Sequence, residues 1–141
     1  MRIAGAELHH VGIVVPSIAA ALPFYTETLG LEAGDTRDMP DQAVRIVFIG
    51  SGAGRIELLE PLDELSGVAR FLAQRGKPTL HHVCFVVDDL ARVLDELAGA
   101  GTELIDRRPR RGGEGMVAFL HPRVTDGVLI ELIDRATIAP E

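Results

Sequence analysis

The octapeptide "LHHVGIVV" at residues 8–15 returns as "LHHVCFVV" at residues 80–87, and no other feature of the chain limits its fold so strongly. At an offset of 72, Leu8, His9, His10, Val11, Val14 and Val15 recur by identity. Further along, "RIELLEP" (55–61) lies on "LIELIDR" (129–135), with Ile56, Glu57 and Leu58 matching Ile130, Glu131 and Leu132. Both ends of one unit therefore recur in the same order. Two copies of a module of roughly 55–65 residues follow, too few for a solenoid.

Each copy reads as β-α-β-β-β. Apolar runs rich in Val and Ile, bounded by Pro, Asp or Gly, predict strands at 8–15, 44–49, 55–60, 80–87, 116–121 and 128–134. Weaker strands are expected near 31–38 and 102–108. Between the first two strands of each copy the apolar period becomes helical. In the first helix Ser17 is the cap, Ile18, Ala21, Leu22, Tyr25 and Leu29 make the stripe, and Gly30 ends it. Pro23 lies inside that helix and should kink it, because it has no amide hydrogen to donate. In the second helix Asp88 or Asp89 caps, Leu90, Val93, Leu94 and Leu97 form the stripe, and Gly101 closes. A third short helix near 65–75, with Leu65, Val68 and Leu72 on one side, links the copies.

Size and charge narrow the function. A chain of 141 residues is about one domain's length, here residues 7–134, made of module 1 (about 7–62), the linker helix (about 63–76) and module 2 (about 79–134). A net charge of −7 argues against nucleic acid and against anionic membrane surfaces as partners. No apolar run reaches the roughly 20 residues of a membrane span, and no secretory leader is legible, so a cytoplasmic location is expected. The single cysteine, Cys84, agrees with a reducing compartment.

Strand parity then selects four side chains. Successive residues of a strand point to opposite faces. Val11, Ile13 and Val15 form a bulky face for the helix, which turns His10 and Gly12 the other way; Val83, Phe85 and Val87 do the same for His82 and Cys84. By the same alternation Glu57 and Glu131 leave the faces of their flanking Ile and Leu and join the histidines. A carboxylate buried in a strand is costly unless strongly partnered. Any one of these residues alone would pass as packing or as an exposed edge, but recurrence in both modules points to two imidazoles and two carboxylates around one divalent cation. That donor set suits Co²⁺, Ni²⁺, Mn²⁺, Fe²⁺ or Zn²⁺ better than Ca²⁺.

Paired βαβββ modules with histidine on the first strand and glutamate on the last resemble the vicinal-oxygen-chelate superfamily, which includes glyoxalase I, extradiol dioxygenases and antibiotic-binding proteins. Within it, "IELLEPL" (56–62), "ARFLAQRG" (69–76), "LHHVCFVVDDL" (80–90) and "VAFLHPRVTDGVLIELID" (117–134) are similar to the methylmalonyl-CoA epimerase branch. The resemblance implies an α+β fold whose two modules form an incomplete barrel around a metal-binding cleft. It also implies metal ligands at His10, Glu57, His82 and Glu131, a Co²⁺-supported isomerase exchanging (2R)- and (2S)-methylmalonyl-CoA, and a homodimer. Several positions depart from the branch, some members of which carry glutamine where Glu57 stands. Ile46 stands where some epimerases carry a glutamate base, and Val86 replaces another frequent glutamate.

Epimerisation beside a thioester removes one C–H proton and returns another to the opposite side of an enolate. With Ile46 inert, Glu57 and Glu131 are the expected catalytic pair. The arginines of "RRPRR" (107–111) are a candidate contact for the CoA phosphates, although a charge run is more often a solvated loop. His121 is expected to be a turn histidine before Pro122, Cys84 to line the cavity, and Gly112, Gly113 and Gly115 to form a hairpin turn or a lid. Two other functions stay open: a glyoxalase-I-type lyase acting on a 2-oxoaldehyde–thiol hemithioacetal, and a metal-free small-molecule-binding protein. A dioxygenase fits less well, because its usual triad has one carboxylate.

Overall fold

In the computed structural model, which describes residues 2–140, both copies fold as βαβββ modules of an α+β protein. The chain divides into two compact units, one holding His10–His81 and the other holding the residues up to His9 together with those from His82 onward.

The first module contains β1 (Glu7–Val14), α1 (Ile18–Pro23), β2 (Arg37–Met39), β3 (Val44–Ile49) and β4 (Arg55–Pro61). Its strands lie in the order β2-β3-β4-β1. The two apolar strands β3 and β4 pair antiparallel, while β1 runs parallel to β4 with Gly12 opposite Glu57. One face packs Val15, Ile18, Val47, Ile49 and Leu58 against Ala21, Leu22 and Tyr25 of the helical segment. The opposite face gathers Val14, Val44, Ile46, Phe48 and Leu59. Helix α2 (Gly67–Arg75) covers part of this second face with Val68, Phe71 and Leu72.

Helix α1 starts as its sequence dictates and ends as Pro23 dictates. Ser17 Oγ accepts from Ala20 N at 3.1 Å, and Glu60 Oε1 accepts from Ile18 N at 2.7 Å, so two of the first amides are satisfied by side chains. After Pro23 the chain widens into a π turn over Phe24–Thr28, where Leu29 N donates to Phe24 O five residues back at 3.0 Å. The wider turn rotates the register, and Leu29, expected on the buried stripe, is exposed instead.

The second module contains β5 (Thr79–Val87), α3 (Leu90–Gly99), β6 (Arg110–Arg111), β7 (Met116–Leu120) and β8 (Ile130–Asp134), with strands ordered β5-β8-β7-β6. Leu90, Val93, Leu94 and Leu97 of α3 pack on Val87, Ala118, Leu120 and Leu132. Burying each such aliphatic side chain contributes roughly 1.5–3 kcal/mol over leaving it exposed. The other face holds Cys84, Val86, Val117 and Ile133, with Ile138 from the C-terminal segment against it. Asp89 caps α3 from a left-handed conformation, φ 51°.

Three expected elements shift. The strand expected at 102–108 is reduced to a single bridge, Leu104 to Leu120, and the regular pairing begins only at Arg110–Arg111. Pro109 cannot donate to a ladder, and Asp106 is occupied in accepting from Phe119 N at 2.9 Å, so the chain pairs after the proline rather than before it. The strand expected at 31–38 becomes the bridge Ala33 to Ile49 followed by β2. The linker helix starts at Gly67, capped by Ser66, which leaves Leu65 outside it and 82% exposed. Among the described residues, no helix is long and apolar enough to cross a membrane.

Candidate functional site

Each module builds the same small assembly from the same strand positions. In the first, β1 carries His10 and β4 carries Glu57, and His10 Nε2 lies 3.4 Å from Glu57 Oε1. Phe48 stands directly across from Glu57 in the β3–β4 register and meets the His10 ring edge-on, centroids 5.1 Å apart. In the second, β5 carries His82 and β8 carries Glu131, with His82 Nε2 at 3.2 Å from Glu131 Oε1. Phe119 stands across from Glu131 in the β7–β8 register and meets the His82 ring edge-on at 5.9 Å. Both histidines are 3% exposed and both glutamates 7%, so these polar groups are held inside the protein.

The local reason is the same in both modules. Parallel pairing of the first strand with the last sets the histidine two residues before the position facing the glutamate: Gly12 faces Glu57, and Cys84 faces Glu131. The facing residue is small in each case, which leaves room for an imidazole to lean across. The phenylalanine supplies an apolar wall behind the pair, a role for Phe48 and Phe119 that the repeat did not signal. Each copy does carry one phenylalanine in the apolar run before its last strand, but it stands nine residues before the glutamate in the first copy and twelve in the second, so the two do not align.

The donor set fits a divalent cation. Two ligands at right angles on a metal with bonds of about 2.1 Å stand about 3.0 Å apart. The separations of 3.4 Å and 3.2 Å are within a few tenths of that figure. They are longer than the roughly 2.7–2.9 Å of a strong charge-assisted N–H···O bond. Each pair is therefore shaped as two adjacent ligands, with nitrogen and oxygen donors of the kind that first-row divalent metals take.

Other residues singled out by sequence are not members of the two pairs, though Cys84 stands directly opposite Glu131. His121 accepts from Arg123 N at Nδ1, 3.1 Å, and caps a turn before Pro122. His81 packs edge-on against Phe71, 4.8 Å between centroids, and His9 is buried. Cys84 is fully buried. Gly112 and Gly115 close the β6–β7 hairpin through Gly112 N donating to Gly115 O at 2.8 Å. Ile46 lies on the same face of its module as Glu57, packed with Val44 and Phe48, and Val86 lies with Val117 and Ile133.

Residues 9–119 match the model of the Glyoxalase/Bleomycin resistance protein/Dioxygenase superfamily. The chain belongs to this superfamily. Among its superfamily relatives, a curated "Ethylmalonyl-CoA/methylmalonyl-CoA epimerase" of Cereibacter sphaeroides is 41% identical over 127 residues, covering 89% of this chain and 95% of the relative. A solved structure of a hypothetical protein from Bacillus halodurans C-125 has a TM-score of 0.89 at 38% identity, covering 97% of this chain and 99% of its own. Another, of methylmalonyl-CoA epimerase in complex with methylmalonyl-CoA and NH4+, has a TM-score of 0.85 at 31% identity, covering 96% and 99%. Within the superfamily, the chain is thus recognised with the methylmalonyl-CoA epimerases, and the α+β fold of tandem βαβββ modules is that of its relatives.

Proposed function

We propose that this chain is a metal-dependent epimerase that interconverts (2R)- and (2S)-methylmalonyl-CoA by proton transfer through an enolate. The observation that carries the reading is the duplicated buried pair, His10 with Glu57 and His82 with Glu131, each with its phenylalanine wall. The epimerases named among its relatives support the acyl-CoA substrate.

In this reading, residues 7–134 work as one domain, and His10, Glu57, His82 and Glu131 hold one divalent cation, Co²⁺ by preference, in a cytoplasmic homodimer. When bound, such a cation supplies Lewis-acid stabilisation of negative charge developing on the substrate. The two histidines orient the site. Glu57 and Glu131 are the two proton-transfer groups, each able to loosen from the metal: one, as carboxylate, takes the C2 proton, and the other, as carboxylic acid, gives its own proton to the opposite side, so the pair exchanges protonation states in each turnover. Ile46 and Val86 carry no titratable group, so the module faces that present them leave proton transfer to the two glutamates. Phe48 and Phe119 keep water from the carboxylates, which sharpens their interaction with the reacting carbon.

The test is metal-stripped, Co²⁺-reloaded protein incubated with methylmalonyl-CoA in D₂O, with deuterium entry at C2 followed by mass spectrometry. Metal-dependent exchange above the enzyme-free control, abolished in Glu131→Gln, is the expected result. Metal-bound protein with no exchange above that control would overturn the reading and direct attention to methylglyoxal hemithioacetals. Full turnover in metal-loaded Glu57→Gln would remove the two-glutamate scheme while leaving the epimerase reading in place.

A further inference from the structure

Of the four arginines in "RRPRR", the fold sends only one to the face that carries His82 and Glu131. Arg110 pairs with Val117 across β6 and β7, Val117 pairs with Ile133 across β7 and β8, and cross-strand partners share a face. Phe119, two residues on from Val117, lies on that face too, opposite Glu131. Arg111 pairs with Met116 and takes the other side. Arg107 reaches α3, where its Nη1 lies 2.8 Å from Asp95, and Arg108 lines a shallow groove beside the same helix with Ala91 and Pro109.

The Arg110 guanidinium is held as a built group. Its central carbon lies 5.3 Å from the Phe119 ring centroid, in a cation–π contact, and the same ring touches His82. Its Nε donates to Asp106 Oδ2 at 3.2 Å, and that oxygen also accepts from Phe119 N at 2.9 Å. One carboxylate thus fixes the guanidinium to the strand that walls His82. The bond uses Nε alone; among the described residues Nη1 and Nη2 meet no second carboxylate. A planar fork with its terminal nitrogens available is suited to bidentate binding of an oxyanion.

We propose that Arg110 is a specificity-determining residue that binds the free carboxylate of the substrate's malonyl half, an inference that rests on the epimerase reading above. Two substrate groups have the required chemistry, a carboxylate and a phosphate. The carboxylate is attached to the reacting carbon itself, whereas the nearest CoA phosphate lies beyond the whole pantetheine arm. A guanidinium one aromatic ring away from His82 is placed for the former.

The experiment measures binding of malonyl-CoA, propionyl-CoA and malonyl-pantetheine to Co²⁺-loaded wild type, Arg110→Gln and Arg110→Lys. Arg110→Gln should weaken malonyl-CoA and malonyl-pantetheine by roughly 10–100-fold while propionyl-CoA stays within about twofold, with Arg110→Lys between wild type and Arg110→Gln. A purely structural loss would move all three ligands together and would overturn the proposal. So would a malonyl-over-propionyl preference that survives Arg110→Gln. Equal weakening of both CoA esters with malonyl-pantetheine unchanged would transfer the guanidinium to a CoA phosphate and overturn it as well. A wild type that neither prefers malonyl-CoA nor exchanges methylmalonyl-CoA would bring down the epimerase reading together with this one.

Discussion

Replacing Glu131 with glutamine separates a ligand from a merely buried carboxylate without any appeal to activity. The change keeps the shape of the side chain and removes its charge. If the cation is held as proposed, Co²⁺ binds only the folded state, and at a free concentration of 100 times Kd it stabilises that state by about 2.7 kcal/mol. For a chain of 141 residues each kcal/mol moves Tm by roughly 4 °C, so wild type should melt about 10 °C higher with Co²⁺ than without. The donor separation of 3.2 Å in the Glu131 pair is already near that of adjacent ligands, so little of the binding energy is lost to rearrangement. Losing an outer partner of a metal ligand costs about 10–100-fold in affinity, and losing a ligand should cost at least the upper end of that range. At the same Co²⁺ concentration, Glu131→Gln is then half-saturated at most. Its stabilisation falls to about 0.4 kcal/mol, and its Tm shift to under about 2 °C. Differential scanning fluorimetry measures both shifts, with Glu96→Gln on the exposed face of α3 as the control. A Glu131→Gln protein that keeps the wild-type shift would show that this carboxylate is not a ligand.

Other outcomes follow from packing and charge. Leu94 is fully buried between α3 and its sheet, so Leu94→Ala should lower stability by about 2–5 kcal/mol, seen as a lower urea midpoint with an unchanged m-value. A Cβ placed on Gly115 would meet Thr137 Oγ1 at 2.8 Å and Thr137 O at 3.0 Å, so Gly115→Ala should raise hydrogen exchange at Met116 N, whose bond to Thr137 Oγ1 would be disturbed. Hydrogen bonding from Arg45 holds Asp38 below its ordinary 3.8, and hydrogen bonding from Arg123 holds Glu103 below its ordinary 4.5. A carboxyl depressed in the folded state adds stability above its unfolded pKa and loses it as pH falls through the folded value. NMR titration should therefore place both midpoints below the ordinary values, and Arg45→Ala should return Asp38 to its own.

Much of this architecture is legible because the chain states it twice. The histidine and glutamate positions come from period-two alternation together with their recurrence in both modules, and the observed register, Gly12 against Glu57 and Cys84 against Glu131, follows from strands whose opposite faces are apolar. What was not legible depends on interactions distant in sequence. The π turn after Pro23 is a choice among ways of bridging a missing amide, and it decides that Leu29 faces solvent. The late start of β6 depends on Asp106 engaging Phe119 across 13 positions. Phe48 and Phe119 stand at different distances from their glutamates, because the two hairpins that precede the last strands differ in length.

The arginine run resists reading by composition for a different reason. A run of like charges is expected to stay solvated, and two of the four arginines do lie beside α3 and away from the sheet face that carries His82. Pro109 stops the loop from pairing, β6 starts one residue later, and parity then gives opposite faces to Arg110 and Arg111. Parity thus predicts that the preference for malonyl-CoA over propionyl-CoA is lost in Arg110→Gln and kept in Arg111→Gln. A preference equally sensitive to Arg111→Gln would show that strand parity does not decide which arginine serves the site.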